Sequence, residues 1–115
     1  PRMKLIAPFI GLINAFLRSE PLETDRALDG GEVLDILGWP VEVVHAPGHT
    51  LGSCAFHARS EGILFAGDAV NGRRGKPEPP NFVEDAAAAQ ESFRRLIGLN
   101  AALLLPGHGS PVRRI

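Results

Sequence analysis

HAPGHTLGS, residues 45–53, is the stretch of sequence that decides how this chain folds. It follows the β-branched run at residues 41–44 and interrupts it with one proline and two glycines. That composition is typical of a strand that ends in a tight loop. The loop presents His49, and an imidazole at such a junction is a ligand that zinc and related divalent cations accept.

Two later stretches repeat this arrangement. LFAGD, residues 64–68, ends in Asp68, and LLPGHG, residues 104–109, presents His108. In each, an apolar run stops at glycine or proline just before the polar side chain. A single residue of this kind is more often a surface or capping residue, but the three stretches in this order predict that His49, Asp68 and His108 converge on a divalent metal site.

The motifs PGHTLGS, FAGD and PGHG together resemble the later motifs of the metallo-β-lactamase superfamily of binuclear metallohydrolases, over residues 25–112. The family's first motif, HxHxDH, has no counterpart, because the four histidines of the chain form no HxH pair. Residues 1–115 are therefore interpreted as the C-terminal part of such a domain, either a single domain or a fragment.

Strand and helix patterns place the chain in the α+β class. Four strands are predicted before Asp68, as an antiparallel meander, and a last strand is predicted at residues 102–105. Residues 71–80, with three prolines, are predicted to form an exposed loop. A helix is predicted to be capped by Asn81 and Glu84 and to end at Gly98. Its apolar face would consist of Ala86, Ala89, Phe93, Leu96 and Ile97.

The family resemblance implies a fold and a metal site. The fold would be an αββα sandwich, of which this chain would be one αβ half. His49 would bind one metal ion, His108 the other, and Asp68 would bridge both. Zinc is the expected metal, with manganese and iron as alternatives, and the remaining ligands would come from the absent motif. The site in this chain would therefore be partial or empty, and no catalytic residue is assigned within it.

Four further residues are candidates for supporting parts in the site. The hydroxyls of Thr50 and Ser53 are predicted to hydrogen-bond the loop backbone and so to orient His49. Arg73 and Arg74 follow Asp68 closely and could contact an anionic substrate, although a solvated loop explains them as well.

The resemblance implies a metal-dependent hydrolase of a small-molecule ester, thioester or lactone, inactive as this chain alone. Asp68 stands where the β-lactam-hydrolysing members carry cysteine or serine, which disfavours antibiotic hydrolysis. Ser53 stands where many thioesterases and lactonases of the family carry histidine. Two alternatives remain open: a non-catalytic module that dimerises or binds a partner through the fold, and a truncated product of a complete enzyme.

Composition and charge limit the partners. The net charge of −1 provides no basic surface for nucleic acid or an anionic membrane. The single cysteine, Cys54, excludes an internal disulfide and favours a reducing compartment, so a cytoplasmic location is expected. A half-sandwich would leave one sheet face uncovered, and we expect self-association or pairing with the missing N-terminal half.

The apolar stretch at residues 5–17 is shorter than the roughly 20 residues of a membrane span. It is predicted to be a helix buried against the domain or a partner, or to form a pocket wall. The core of a signal peptide is the alternative.

Overall fold

The computed structural model describes residues 20–114. The predictions made for residues 5–17 lie outside this range. Within it, seven strands form one sheet that is accompanied by one α-helix and a short 3-10 helix at Arg59–Glu61. The strands and the helix are β1 (Val33–Ile36), β2 (Trp39–His45), β3 (Cys54–Ala58), β4 (Ile63–Arg73), β5 (Lys76–Glu78), α1 (Ala86–Gly98), β6 (Leu103–Gly109) and β7 (Val112–Arg113).

Strands β1 to β4 form the predicted antiparallel meander, each paired with the next along the chain. The turn between β1 and β2 consists of Leu37 and Gly38, both with positive φ. Two successive residues of positive φ are what a tight hairpin requires, because their twist matches that of the flanking strands. The carboxylate of Asp35 accepts a hydrogen bond from the Gly38 amide at 2.7 Å and closes this turn.

The prediction of a loop at residues 71–80 is wrong for most of its length. Strand β4 continues to Arg73, turns at Arg74 and Gly75, both with positive φ, and returns as β5. The proline at position 77 is compatible with this hairpin because β5 pairs only with β4 and is an edge strand. A proline-rich stretch is therefore compatible with an edge strand and does not by itself indicate a loop.

The predicted helix exists, but its cap was assigned to the wrong residues. Helix α1 begins at Ala86, and the carboxylate of Asp85 accepts a hydrogen bond from the Ala88 amide at 3.0 Å. Asn81 and Glu84 both lie before the helix. The helix ends at Gly98, as predicted. Its buried face includes Ala89 and Leu96, whereas Ala86, which was placed on that face, is exposed.

The two faces of the sheet differ in what covers them. On one face, the core packs against α1 and contains Leu64, Leu96 and Leu104. Along each strand successive side chains point to opposite faces, so Phe65 lies on the other face, opposite Phe56 and Leu105 in the register of the sheet.

A cavity of about 590 Å³ lies on that second face. We call it the apolar groove, and it is lined by Ile36, Leu37, Trp39, Val41, Phe56 and Phe65. Leu37 is 100% exposed and Trp39 is 41% exposed. One covered face and one apolar, accessible face are what half of an αββα sandwich would show, and this confirms the predicted fold.

Two other side chains of the sheet lie away from solvent. His57 is buried, and burial, followed by the charge of Arg59, lowers the pKa of its imidazole. Cys54 is half-buried, and burial raises the pKa of its thiol, which keeps the sulfur protonated and unreactive. The 13-residue helix α1, the only α-helix among residues 20–114, is too short to span a membrane.

Because Leu96 connects α1 to the covered face, its truncation should destabilise the fold. Leu96 is 1% exposed. We expect Leu96→Ala to lower the free energy of unfolding by about 2–5 kcal/mol, since it removes buried methyl groups and leaves a cavity. Leu22→Ala, at a residue 92% exposed, should cost less than about 0.5 kcal/mol. Urea unfolding measures both, and equal effects of the two substitutions would contradict this packing.

Candidate metal centre

The loop that carries His49 is closed by its own hydrogen bonds. The Ala46 amide donates to the Ser53 carbonyl at 2.8 Å. The Thr50 amide donates to Ser53 Oγ at 3.1 Å, and the two hydroxyls of Thr50 and Ser53 lie 2.8 Å apart. The Ser53 hydroxyl contacts the loop backbone as predicted, whereas the Thr50 hydroxyl contacts Ser53 Oγ. Their effect on the orientation of His49 stays a prediction.

Asp68 lies inside β4, not at the end of the strand where the sequence analysis placed it. Its position is set by an irregularity in the parallel pairing of β4 with β6. Gly67 is opposite Pro106 and Asn71 is opposite His108, so four steps along β4 match two steps along β6. The extra residues interrupt the ladder, and such irregularities re-aim side chains next to functional sites. Asp68 lies in this interruption.

His108 is the next-to-last residue of β6 and is exposed. The preceding residue, Gly107, lies too close to Asp68 to carry a side chain. A Cβ atom at Gly107 would collide with Asp68 Oδ1. The glycine of the PGHG motif thus makes room for the carboxylate beside the histidine.

The structure brings the three predicted residues together around one carboxylate. His49 Nε2 lies 3.4 Å from Asp68 Oδ2, and His108 Nε2 lies 3.3 Å from Asp68 Oδ1. Each imidazole therefore faces its own oxygen of Asp68. A carboxylate placed in this way can share its two oxygens between two neighbouring cations.

The donor atoms fit a divalent cation in type but not in number. Imidazole nitrogen and carboxylate oxygen are the donors that zinc and iron accept. However, no group of three or more histidine, cysteine, aspartate or glutamate side chains in residues 20–114 is arranged to hold a metal ion. The reason is geometric: each oxygen of Asp68 has a single imidazole beside it. Zinc normally takes four ligands, so these three side chains alone would not complete a zinc site.

A cavity of about 260 Å³ opens onto these three residues. Its remaining lining residues are Asn71, Pro80, Asn81 and Phe82. None of these four was predicted from the sequence, since the loop pattern of residues 71–80 and the capping pattern that begins at Asn81 carry no sign of a cavity wall. The one signal that could have indicated them is their position between two site motifs, directly before the helix.

Arg73 and Arg74 are not brought to the site. Both are exposed in the hairpin of β4 and β5, and neither lines the cavity beside Asp68. The predicted contact of these side chains with an anionic substrate has no support in this arrangement. The alternative, two solvated side chains in an exposed turn, agrees with their exposure.

Comparison with known proteins gives the family context of this site. Residues 4–108 match the sequence profile of the metallo-beta-lactamase superfamily. The chain is 28% identical over 115 residues to an atrochrysone carboxyl ACP thioesterase of Aspergillus fumigatus, covering 100% of this chain and 35% of that protein. It is 32% identical over 90 residues to the acyl-coenzyme A thioesterase MBLAC2 of Gallus gallus, covering 76% of this chain and 32% of that protein.

The chain is also similar in fold to solved structures, including a metallo-beta-lactamase family protein. The metallo-beta-lactamase family protein TTHA1429 of Thermus thermophilus superimposes with a TM-score of 0.61 at 28% identity, covering 81% of this chain and 32% of that one. TTHA1623 in a di-iron-bound form gives a TM-score of 0.65 at 27% identity, covering 89% of this chain and 51% of that one. The chain thus spans about a third of the length of the thioesterases that it matches.

If His49, Asp68 and His108 bind metal together, each side chain should contribute to the affinity of the chain for that metal. We expect the chain to bind Co²⁺ weakly, and His49→Ala, Asp68→Asn and His108→Ala each to weaken binding about tenfold or more, which is about 1.4 kcal/mol. Calorimetric titration measures this. Glu61→Gln, at an exposed carboxylate outside the cavity, is the matched control and should bind as the unchanged chain does. Unaltered affinity in the His49 and His108 variants would contradict a shared site.

Proposed function

The chain belongs to the metallo-β-lactamase superfamily, and we propose on that basis that it supplies part of the binuclear metal site of a hydrolase. The substrate would be a small-molecule ester, thioester or lactone. The chain alone would be inactive because it holds too few ligands. The observation that carries this proposal is the position of the Asp68 carboxylate, with His49 on one oxygen and His108 on the other.

The residues of the site would act by holding and orienting. His49 and His108 would each offer Nε2 to one of two cations, and Asp68 would bridge them. A metal ion in such a site lowers the pKa of a bound water to about 7, which supplies hydroxide at neutral pH. Zinc is the proposed metal, and the di-iron-bound relative supports iron as an alternative.

The lining of the cavity and the relatives support a thioester as the preferred substrate. Both relatives described above are named as thioesterases. Phe82, which is 64% exposed, and Pro80 offer apolar surface beside the site. The amides of Asn71 and Asn81 are the neutral polar groups of the lining and can hydrogen-bond a carbonyl. Such a surface suits an acyl group better than a strongly anionic one.

The alternative is a non-catalytic interaction module, and the apolar groove is the observation that favours it. We also propose that the isolated chain associates with a second copy of itself through this groove. Burial of apolar surface contributes about 25 cal/mol per Å², and Ile36, Leu37, Trp39 and Phe65 remain exposed there. The N-terminal half of a complete sandwich would compete for the same face. The chain retains Asp68 with the imidazoles of His49 and His108 beside its carboxylate. This arrangement supports a hydrolase over an interaction module.

Hydrolysis of a thioester tests the catalytic proposal. The isolated chain should not turn over an acyl-coenzyme A with added zinc or manganese. In the protein as expressed from its gene, we expect thiol release that Asp68→Ala lowers about a hundredfold or more, since even neighbours of metal ligands cost 10–100-fold when removed. Arg74→Ala should retain activity, because Arg74 lies outside the cavity.

Two results would count against this account. Full activity of the Asp68→Ala protein would remove Asp68 from the reaction. Turnover by the isolated chain that disappears with His49→Ala would show that the chain is active without further ligands.

Self-association through the apolar groove can be measured separately. We expect a dimer or larger species at micromolar concentration by light scattering, and Leu37→Glu should weaken it at least about tenfold by placing a charge on the apolar surface. Leu37 is a fully exposed turn residue, so the fold should tolerate the change. Leu22→Glu, at an exposed leucine outside the groove, is the control. A monomeric unchanged chain would refute association.

A further inference from the structure

Residues 79–85, which we call the strap, lie against the loop that carries His49. The Glu84 amide donates to the carbonyl of Gly48 at 2.8 Å and to that of His49 at 3.2 Å. The Asp85 amide donates to the Gly48 carbonyl at 3.1 Å. The strap therefore follows the backbone of the loop directly at the histidine.

The side chain of Glu84 contacts the same loop on the other side of His49. Its Oε2 accepts a hydrogen bond from the Leu51 amide at 2.9 Å. Glu84 thus binds the backbone both before and after His49, through its amide and its carboxylate. Hydrogen bonds to an ionised carboxylate are stronger than neutral ones, so this residue restricts how the loop can move.

The strap also contacts the imidazole of His49. The Phe82 carbonyl lies 2.5 Å from His49 Nδ1. A backbone carbonyl can only accept a hydrogen bond, so Nδ1 must carry the proton. In the neutral imidazole, Nε2 is then the unprotonated nitrogen, and Nε2 is the atom that faces Asp68.

The first two turns of α1 contact the loop that carries His49. A Cβ atom at Gly48 would collide with the backbone of Ala89, so the loop rests against the helix with no space between them. Ser92 Oγ donates to the Pro47 carbonyl at 2.7 Å. The strap ends at Asp85, which caps α1. The helix and the strap therefore hold the loop that carries His49 together.

We propose that Glu84 is a positioning residue, which through the strap fixes the tautomer and the orientation of His49 for metal binding. This inference rests on the proposed metal site, since it concerns His49 as a ligand. Glu84 touches neither the metal position nor the substrate cavity as described above. Groups that hold a ligand histidine in this way commonly change metal affinity by 10–100-fold.

Two substitutions of Glu84 separate this role from general stability. Glu84→Ala removes the acceptor for the Leu51 amide, whereas Glu84→Gln keeps a carbonyl oxygen at the same reach. We expect Glu84→Ala to weaken Co²⁺ binding about tenfold or more and Glu84→Gln to restore most of it. Glu91→Ala, an exposed glutamate paired with Arg94 on α1, is the matched control and should bind normally.

A second readout needs no metal. Nitrogen-15 NMR of the histidine rings at pH 8 should show His49 protonated on Nδ1 in the unchanged chain. In Glu84→Ala we expect this signal to shift towards a mixture of tautomers while that of His108 stays the same. A change in both histidines would indicate general loss of structure and would overturn the specific role.

The outcomes distinguish the two proposals. If His49→Ala and His108→Ala leave Co²⁺ binding intact, the metal site itself fails. If those substitutions weaken binding and Glu84→Ala changes neither the affinity nor the His49 tautomer, only the positioning role is wrong. Should Glu84→Ala fail to fold, Glu84→Asp keeps the charge, shortens the reach by one methylene and is expected to give the same shift; an unchanged His49 would again overturn the role.

Discussion

The carboxylate of Asp68 is the constraint on which the rest of the site depends. It faces one imidazole with each oxygen, and it can do so because the pairing of β4 and β6 is interrupted between Gly67 and Asn71. In an uninterrupted ladder its side chain would point to one face of the sheet like its neighbours. Gly107 adds the space that the carboxylate needs. The interruption in the sheet therefore determines which groups the Asp68 carboxylate faces.

The same sheet sets the positions of the three candidate side chains. Strands β4 and β6 lie beside each other in the sheet and deliver Asp68 and His108, while the loop after β2 delivers His49. Each oxygen of Asp68 has one imidazole, and zinc normally takes four ligands. The apolar groove lies on the opposite side of the sheet from α1. Under the proposed function, the other half of the sandwich would supply both the further ligands and the cover of this apolar face.

The sequence predicted those features that depend on neighbours along the chain. PGHTLGS, FAGD and PGHG are local and indicated the three candidate site residues, and the local strand and turn patterns indicated the meander. Apart from the convergence of His49, Asp68 and His108, contacts between distant residues were missed. Glu84 matched a capping pattern with Asn81, but its carboxylate binds the Leu51 amide, 33 residues away, and Asp85 caps the helix instead. The proline-rich stretch gave no sign of the hairpin, whose formation depends on pairing with β4.

The most direct test of the central claim is a crystal structure of the natural gene product grown with zinc, with the metal located by its anomalous scattering. Two zinc ions should lie on either side of Asp68, each about 2.0–2.2 Å from one of its oxygens and from Nε2 of His49 or His108. Zinc bound elsewhere, with the three side chains directed away from one another, would contradict the account.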